Sequence, residues 1–591
     1  MEESTGLQAL ELQGLSSGRA IAGVALPAIV LNAAPPIVIA VQTALVGRYA
    51  STSALAAFAA VGTCVAFVAR AANFLVDGVS SRVGKTVGQR AWSELPTHVH
   101  LSVRWSALLG IISVPPLLLL RRPLLAGLLD LAGDVQQVAA GYWVVRSAAI
   151  PAQLLAMAAA GILQGFGRVR LNAGLTSAAA LLEMAGSAAV LLLATSQPPA
   201  AGLLAMGWVS LVCQALLAAA SLACIVALPP VEAKGRVHLL RAALGLGSSD
   251  GTLSSSSGID GGGSGAGQAQ LSPASEPLLE AEDRAESALP LSRPAISCTS
   301  FVGPRRAGGR HAARAPWFDQ ATREFLRDGL NMFLRTLVLQ LTFFLALAAA
   351  ARLGTAVLAA HSIVGQLWVV ISYAVDGFAA AGIVLGSRLY GFARSGPQLR
   401  AAAERHMRRL TARVLWSGGL LGAAAGLGFH LARGSMPHWF TSDPAVVEAL
   451  LGGGAWTVLA LAQPMNGLLF VFDGLMYATQ AFRYVRDYMA LGFALVFLPA
   501  LALEAFTFPS LANIWLAKAA LNVWRLAGAA HLIYWRFLPR FGLDKDEGRE
   551  GAARQAASAA AADTAAANGS AGGGVADGAV PGTQMQPGDA A

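Results

Sequence analysis

The stretch "ARLGTAVLAAHSIVGQLWVVISYAVDGFAAAG", residues 351–382, is apolar and long enough to cross a bilayer, yet it carries a carboxylate, Asp376. A helical crossing takes about 20 apolar residues. An ionised Asp near the bilayer centre costs roughly 2.5 to 3.5 kcal/mol on insertion scales, so a chain that keeps one there needs a reason. The stretch also has a counterpart in the first half of the chain. "GRYASTSALAAFAAVG" (47–62) followed by "FLVDGVSS" (74–81) parallels "ARLGTAVLAAHSIVG" (351–365) followed by "YAVDGFAA" (373–380). In the same order, "YWVVRSAAIPAQLL" (142–155) parallels "WTVLALAQPMNGLL" (456–469), with Pro151 against Pro464.

The whole chain agrees with a membrane reading. Of its 591 residues, 55% are hydrophobic and 13% charged, with a mean hydropathy of +0.56; a soluble domain carries about 25% charged residues. The apolar runs are long and lack the short alternation of a barrel, so helices are expected. Spans fall at about 20–46, 53–78, 99–120, 138–164, 172–195 and 202–228, then 323–351, 357–386, 411–433, 447–478, 486–508 and 512–537. The expected fold is an all-α integral membrane protein of twelve transmembrane helices in two pseudo-symmetric six-helix lobes. An N-terminal tail (1–19) precedes an N-lobe (20–228), and a linker (229–318) precedes a C-lobe (319–540) and a C-terminal tail (541–591). The linker, with "SSSSGIDGGGSGAGQAQ", and the tail, with "AASAAAADTAAANGSAGGG", are too polar or too biased to build a core, and are expected to be flexible and disordered respectively.

Twelve spans put both termini on one side. Loops on that side carry Arg82, Lys85, Arg90, Arg168, Arg170, Arg483, Arg486 and a run from Arg388 to Arg413; the opposite loops carry Arg48, Arg121, Arg122, Arg352 and Arg433. The positive-inside rule then makes the termini cytoplasmic. The same distribution explains the net charge of +9 without nucleic acid, because the basic residues lie between apolar segments rather than along one face. The first 18 residues hold three glutamates and no Lys or Arg, which matches neither a signal peptide nor a transit peptide.

Enzymatic chemistry has no signal. There is no HExxH, no serine elbow and no metal-ligand spacing. "VGKT" (83–86) lacks the glycine a phosphate loop needs at position 79, which is Val79. Cys64, Cys213, Cys224 and Cys298 are scattered and read as packing residues, and His361 reads as a hydrogen-bonded packing residue. No cofactor or metal is expected. The informative groups are acids in apolar runs: Asp77, Glu183, Asp376, Asp473 and Glu504. Asp77 and Glu504 lie near span ends, where water reaches them. Asp376 and Asp473 have fewer polar neighbours, and an intramembrane acid marks an ion or substrate pathway; the alternative is an internal ion pair, with Arg335 as one partner. Burial raises a carboxyl's pKa towards neutrality and a bound cation keeps it ionised, so such a group can exchange H⁺ or Na⁺ for a substrate. Asn331, Gln340 and Gln366 can line the same cavity, and Pro151 and Pro464 mark bends. Six plus six spans with internal duplication are the mark of a secondary transporter with its site between two lobes.

At "LNAAPPIVIAVQTALVGRYASTSALAAFA", "FLRTLVLQLTFFLALAAAARLGTAVLAAHSIVGQLWVVISYAVDGFAAAG" and "LFVFDGLMYATQAFRYV" the chain resembles the MATE (multidrug and toxic compound extrusion) family, specifically its DNA-damage-inducible protein F branch in a plant- or alga-like form. The resemblance covers about 20–228 and 320–538. It implies two six-helix lobes in a V shape and rocking exchange of H⁺ or Na⁺ for an organic substrate. Arg335 and Thr336 match the branch's "RTL"; Ala359, Ala360, His361, Ile363, Gln366 and Trp368 match or closely follow "AAHxIxxQxW"; Asp376 matches the acid of "DGFA". Where the family commonly has the acid of "VDTxxVGR", this chain has Gln42, which cannot titrate. Arg168 and Ala481 stand where family acids are expected.

With Gln42 neutral, coupling is expected to move to the C-lobe, where Asp376 binds the cation and Asp473 assists or contacts substrate. The expected function is antiport of small organic cations or carboxylates by a monomer in the lipid bilayer of a plasma or plastid membrane. The alternatives are a lipid-linked precursor flippase, which calls for an Arg-rich groove, and a non-transporting scaffold.

Overall fold

A computed structural model describes residues 11–128, 133–193, 198–228, 230, 320–441, 443–507 and 509–541. Nearly all of the expected linker and C-terminal tail therefore lies outside the described residues. Within them the secondary structure is helical throughout. The N-lobe comprises α1 (Gly18–Tyr49), α2 (Thr52–Ala71), α3 (Phe74–Gly88), α4 (Leu95–Leu119), α5 (Gly133–Ala148), α6 (Ile150–Gly165), α7 (Val169–Leu193) and α8 (Pro199–Ala227). The C-lobe comprises α9 (Gln320–Arg352), α10 (Thr355–Arg394), α11 (Pro397–Leu431), α12 (Ala455–Ala478), α13 (Phe482–Gly492), α14 (Leu498–Thr507) and α15 (Leu511–Ala530). Single π-helical segments join α13 to α14 and extend α15 to Phe537.

Among the described residues, eleven helical segments are long and apolar enough to cross a membrane. α15 supplies the twelfth crossing; it places Lys518, Asn522 and Arg525 on its buried face, which lowers its hydropathy. Local chemistry sets the ends. The hydroxyls of Ser17 and Ser51 accept from the amides of Ala20 and Ala54, both at 3.1 Å, capping α1 and α2. Gly354 at φ +107° admits the turn that starts α10.

Of the helix limits that differ from the sequence expectation, two bear on the lobe seam and its basic flank. The second span, expected to end at 78, breaks at Ala72–Asn73 and continues as α3 to Gly88. Its last turns are small and polar because they face the other lobe rather than lipid, so hydropathy alone ends the span too early. "VGKT" is helical for the same reason. The ninth span, expected from 411, begins at Pro397, so Arg400, Arg405, Arg408, Arg409 and Arg413 ride on a helix rather than in a loop.

The internal repeat is visible in matched contacts. Trp143 Nε1 donates to the Leu117 carbonyl at 2.9 Å, and its counterpart Trp456 donates to the Phe429 carbonyl at 2.8 Å. Eight residues beyond each Trp stands a proline: Pro151 in the first turn of α6, where a missing amide proton costs no helical bond, and Pro464 inside α12. Eighteen residues beyond each Trp stands a glycine against the partner helix's backbone. A Cβ on Gly161 would lie 2.6 Å from the Leu75 carbonyl oxygen, and one on Gly474 would lie 2.7 Å from Ala379 Cα. The same crossing is thus built once in each lobe, beside Asp77 in one and Asp376 in the other.

The lobes meet along α10, which packs on α1 and on α3. At the end of the bundle that carries the termini, the backbones touch: a Cβ on Gly88 would lie 2.9 Å from Arg388 Cα, and one on Gly391 would lie 2.8 Å from the Gln89 nitrogen. Polar ties flank this crossing. Ser81 Oγ donates to the Tyr477 carbonyl at 2.6 Å, Arg82 pairs with Asp328 at 2.5 Å, and Lys85 Nζ donates to Gln480 Oε1 at 3.2 Å.

Candidate functional site

The C-lobe buries a charged cluster. Asp473, on α12, is 6% exposed. Its Oδ2 accepts from Arg335 on α9 at 2.5 Å and from Arg525 on α15 at 2.6 Å. Arg525 also donates to Asn522 Oδ1 at 3.1 Å, and Asn522 donates to Asn466 Oδ1 at 3.0 Å. The Arg335 guanidinium lies 5.6 Å from the centre of the Tyr477 ring. One carboxylate thus ties three helices together, and the ion pair weighed as the alternative role for the acids is formed by Asp473.

Asp376 is different. It is half-buried on α10 and has no hydrogen-bond or ion-pair partner among the described residues. Its neighbour Gly377 packs against α1, where an added Cβ would lie 2.7 Å from the Ala25 carbonyl oxygen, so Asp376 stands at the seam between the lobes. Asp77 of the N-lobe, Asp473 and Arg335 all act on it electrostatically. Asp77 is held by Asn73 Nδ2 at 2.8 Å. Sequence reasoning set Asp77 aside as a span-end residue; because the helix continues past it as α3, it joins Asp376 instead.

The remaining candidates disperse. Asn331 accepts from Arg486 Nη1 at 2.7 Å and fastens α13 to α9. Gln366 is exposed and lies ten residues from Asp376 along α10, a rise of about 15 Å. Gln42 is 6% exposed and enters a network of its own. Its Nε2 donates to Ser187 Oγ at 2.9 Å and to Glu183 Oε1 at 3.3 Å. Ser210 also donates to Glu183, and Arg146 donates to Ser210. The N-lobe therefore keeps a buried carboxylate beside position 42, supplied by α7 rather than α1. The sequence signal was a second polar group, Glu183, in an otherwise apolar span.

Comparison with known proteins fits this geometry. Residues 27–188 match the MatE family model. Protein DETOXIFICATION 43 of Arabidopsis thaliana is 32% identical over 222 residues, which are 36% of this chain and 39% of that protein. Over these residues the chain is similar to the MATE family. A second Arabidopsis relative, Protein DETOXIFICATION 45, chloroplastic, is 27% identical over 215 residues, or 36% of each chain. The chain thus aligns with less than two-fifths of the length of these curated relatives. The MATE fold is shared with a mutant form of the Vibrio cholerae MATE transporter VcmN at TM-score 0.65 and 13% identity, over 88% of this chain and 96% of that one. It is shared also with the eukaryotic MATE transporter AtDTX14 at TM-score 0.59 and 14% identity, over 92% and 99%.

The C-lobe holds a further charge that sequence reasoning passed over. Lys518 is 4% exposed, and its Nζ has no hydrogen-bond partner among the described residues. Three rings enclose it, with centres 3.4 Å away for Phe343, 4.6 Å for Trp515 and 4.7 Å for Trp368. His361, whose Nδ1 is also without a partner, stacks on Trp515 at 5.2 Å. Ring faces return part of an ammonium's lost hydration, about 2 kcal/mol or more where water is excluded. That falls short of a buried charge's desolvation cost of several kcal/mol. Lys518→Met, of similar length and apolar, is expected to leave the thermal midpoint in detergent unchanged or higher. A fall would mean that the ammonium holds the rings in place.

Proposed function

We propose that this chain is a secondary active antiporter that exports a small organic ion, cationic or carboxylate, in exchange for H⁺ or Na⁺, by alternating access of its two lobes. The observation that carries the reading is Asp376: a half-buried, unpartnered carboxylate at the lobe seam, with Asp77 of the other lobe and the Arg335–Asp473 pair acting on it. A carboxylate already shared by two arginines, as Asp473 is, has little capacity left for a cation. Asp376 has all of its capacity left. Binding a proton or a sodium ion removes an unpaired charge from a water-poor seam, and a group whose charge depends on exposure couples ion binding to lobe position. Glu183, tied to Gln42, provides a second acid in the N-lobe that the same cycle can load.

The closure at the Gly88–Gly391 crossing supports alternating access, since it shuts one end of the seam with ties that can part. The positive-inside distribution supports a cytoplasmic position for that end. The names of two Arabidopsis relatives, DETOXIFICATION 44 and 45, include the word chloroplastic, and a plastid membrane is one setting for this chain, a plasma membrane the other. A flippase groove rich in arginine is disfavoured, because Arg335 and Arg525, the arginines of the C-lobe cluster, are both occupied by Asp473.

The test is efflux of a fluorescent organic cation, and separately of citrate, from proteoliposomes under an imposed pH or sodium gradient. Transport in the wild type that follows one gradient and loses that dependence in Asp376→Asn is the expected result. Gradient-driven transport unchanged in Asp376→Asn would place coupling elsewhere, with Glu183→Gln the next variant to measure.

A further inference from the structure

The outer face of α11 points to a lipid site. This helix begins with Arg400, Arg405, Arg408, Arg409 and Arg413 and a single acid, Glu404. That acid is taken: Arg408 donates to Glu404 Oε1 through Nε at 3.0 Å and Nη2 at 2.8 Å. Arg413 donates to the Ser16 carbonyl at 2.6 Å. Arg405 and Arg409 are exposed, one turn apart, and have no hydrogen-bond or ion-pair partner among the described residues. The groups around them do not neutralise them. His406, between them, is held by Ser16 Oγ at 2.8 Å, and Glu11 of the N-terminal segment pairs with Arg90 at 2.8 Å.

The residues further along the same face decide the ligand. Trp416 is 78% exposed, Leu420 64%, Leu427 58% and Leu431 74%. Their spacing continues the stripe that starts at Arg405 and Arg409, while Met407, Leu410, Val414, Gly418 and Gly422 face inward. At 1.5 Å per residue, Leu431 to Trp416 spans about 22 Å and Leu431 to Arg409 about 33 Å, against a hydrocarbon core of about 30 Å. With Leu431 at one edge of the hydrocarbon, Arg409 then stands just beyond the other edge and Trp416 about 8 Å inside it, beneath the headgroups. The two guanidinium groups stand at the level of the headgroups.

We propose that Arg405 and Arg409, with Trp416 beneath them, form a binding site for the phosphate of an anionic phospholipid. A guanidinium fork suits a phosphate oxygen pair. A lipid rather than free phosphate is the source, because the site opens onto a continuous lipid-facing stripe on which acyl chains lie. A zwitterionic headgroup brings its own cation and is the poorer ligand.

The test uses the full chain in vesicles of phosphatidylcholine containing brominated lipids, reading the tryptophan fluorescence lost in Trp416→Phe. Brominated phosphatidylglycerol should quench that component about tenfold more effectively than brominated phosphatidylcholine at low salt, as two arginines near the surface allow. Arg405→Gln/Arg409→Gln should abolish the preference, whereas Arg408→Gln, which removes an arginine already paired, should retain it and report an intact fold. Equal quenching by both lipids in the wild type, or a preference that survives the double substitution, overturns the site. Loss of the preference on adding millimolar inorganic phosphate would overturn the lipid assignment and make free phosphate the ligand.

Discussion

Asp473→Ala should destabilise the protein by about 3 to 5 kcal/mol, the cost of leaving buried charge without its partner. Here the effect is doubled in kind, because the lost carboxylate serves two guanidinium groups. Arg525 and Arg335 have side chains 7% and 14% exposed. Without Asp473 they face each other in a low-dielectric lobe, each with donors unfilled. Asp473→Asn keeps an acceptor oxygen and loses the charge, so it should fall between wild type and alanine. Adding Arg525→Gln to Asp473→Asn should recover part of the loss by removing one of the orphaned cations. The midpoints of thermal unfolding in detergent should therefore rank wild type, double variant, asparagine, alanine. An Asp473→Ala protein as stable as wild type would mean that water reaches the arginines and the cluster is not a structural tie.

The weight on this cluster comes from α15, whose crossing was expected from its apolar flanks. Its buried face carries Lys518, Asn522 and Arg525, which an isolated helix could not place in hydrocarbon cheaply. α12 presents the matching acceptors, Asp473 Oδ2 and, through Asn522, Asn466 Oδ1. The helix is inserted as part of a lobe rather than by its own hydropathy.

The spans, the two halves and the repeat were legible because each rests on signals within one stretch: apolar length, turn residues and the order of Trp, Pro and VDG. The pairings within the lobes were not. Asp473 meets Arg335 and Arg525, and Gln42 meets Glu183, across long separations that no local period encodes. Asp77 is hard to place from sequence for a physical reason: Ser80, Ser81, Gly84 and Gly88 are small residues on the side of α3 turned to the other lobe, and by hydropathy such a face looks like a span's end. Lys518 was visible as a charge inside an expected span, but its aromatic surround was not, since the rings come from α9, α10 and α15.

That same small-residue face yields the second large effect. Gly88→Val should open the terminus-bearing end of the seam, raising the labelling rate of Ser80→Cys, in a background without native cysteines, on the order of a hundredfold. The first atom added at residue 88 already lies 2.9 Å from both Arg388 C and Arg388 Cα. A side chain could turn aside; backbone in the middle of a helix cannot. The clash exists only while the lobes are closed at this end, so its energy falls wholly on one of the two states. Overpacking costs typically 1 to 3 kcal/mol, and about 1.4 kcal/mol is tenfold in an equilibrium, so the upper end corresponds to the stated shift. Ser80 is a fitting reporter because it is 0% exposed and its Oγ has no partner among the described residues, so cysteine there breaks no tie they form. The ties that remain, the buried Ser81 to the Tyr477 carbonyl and the partly exposed Arg82 to Asp328 and Lys85 to Gln480, are worth about 1 kcal/mol each and are present with or without the substitution. They cannot offset a backbone clash. A membrane-impermeant maleimide added on the side of the termini makes the measurement. Unchanged labelling in a folded Gly88→Val protein would mean that the helix crossing follows closure rather than holding it, and that the charged ties set the equilibrium.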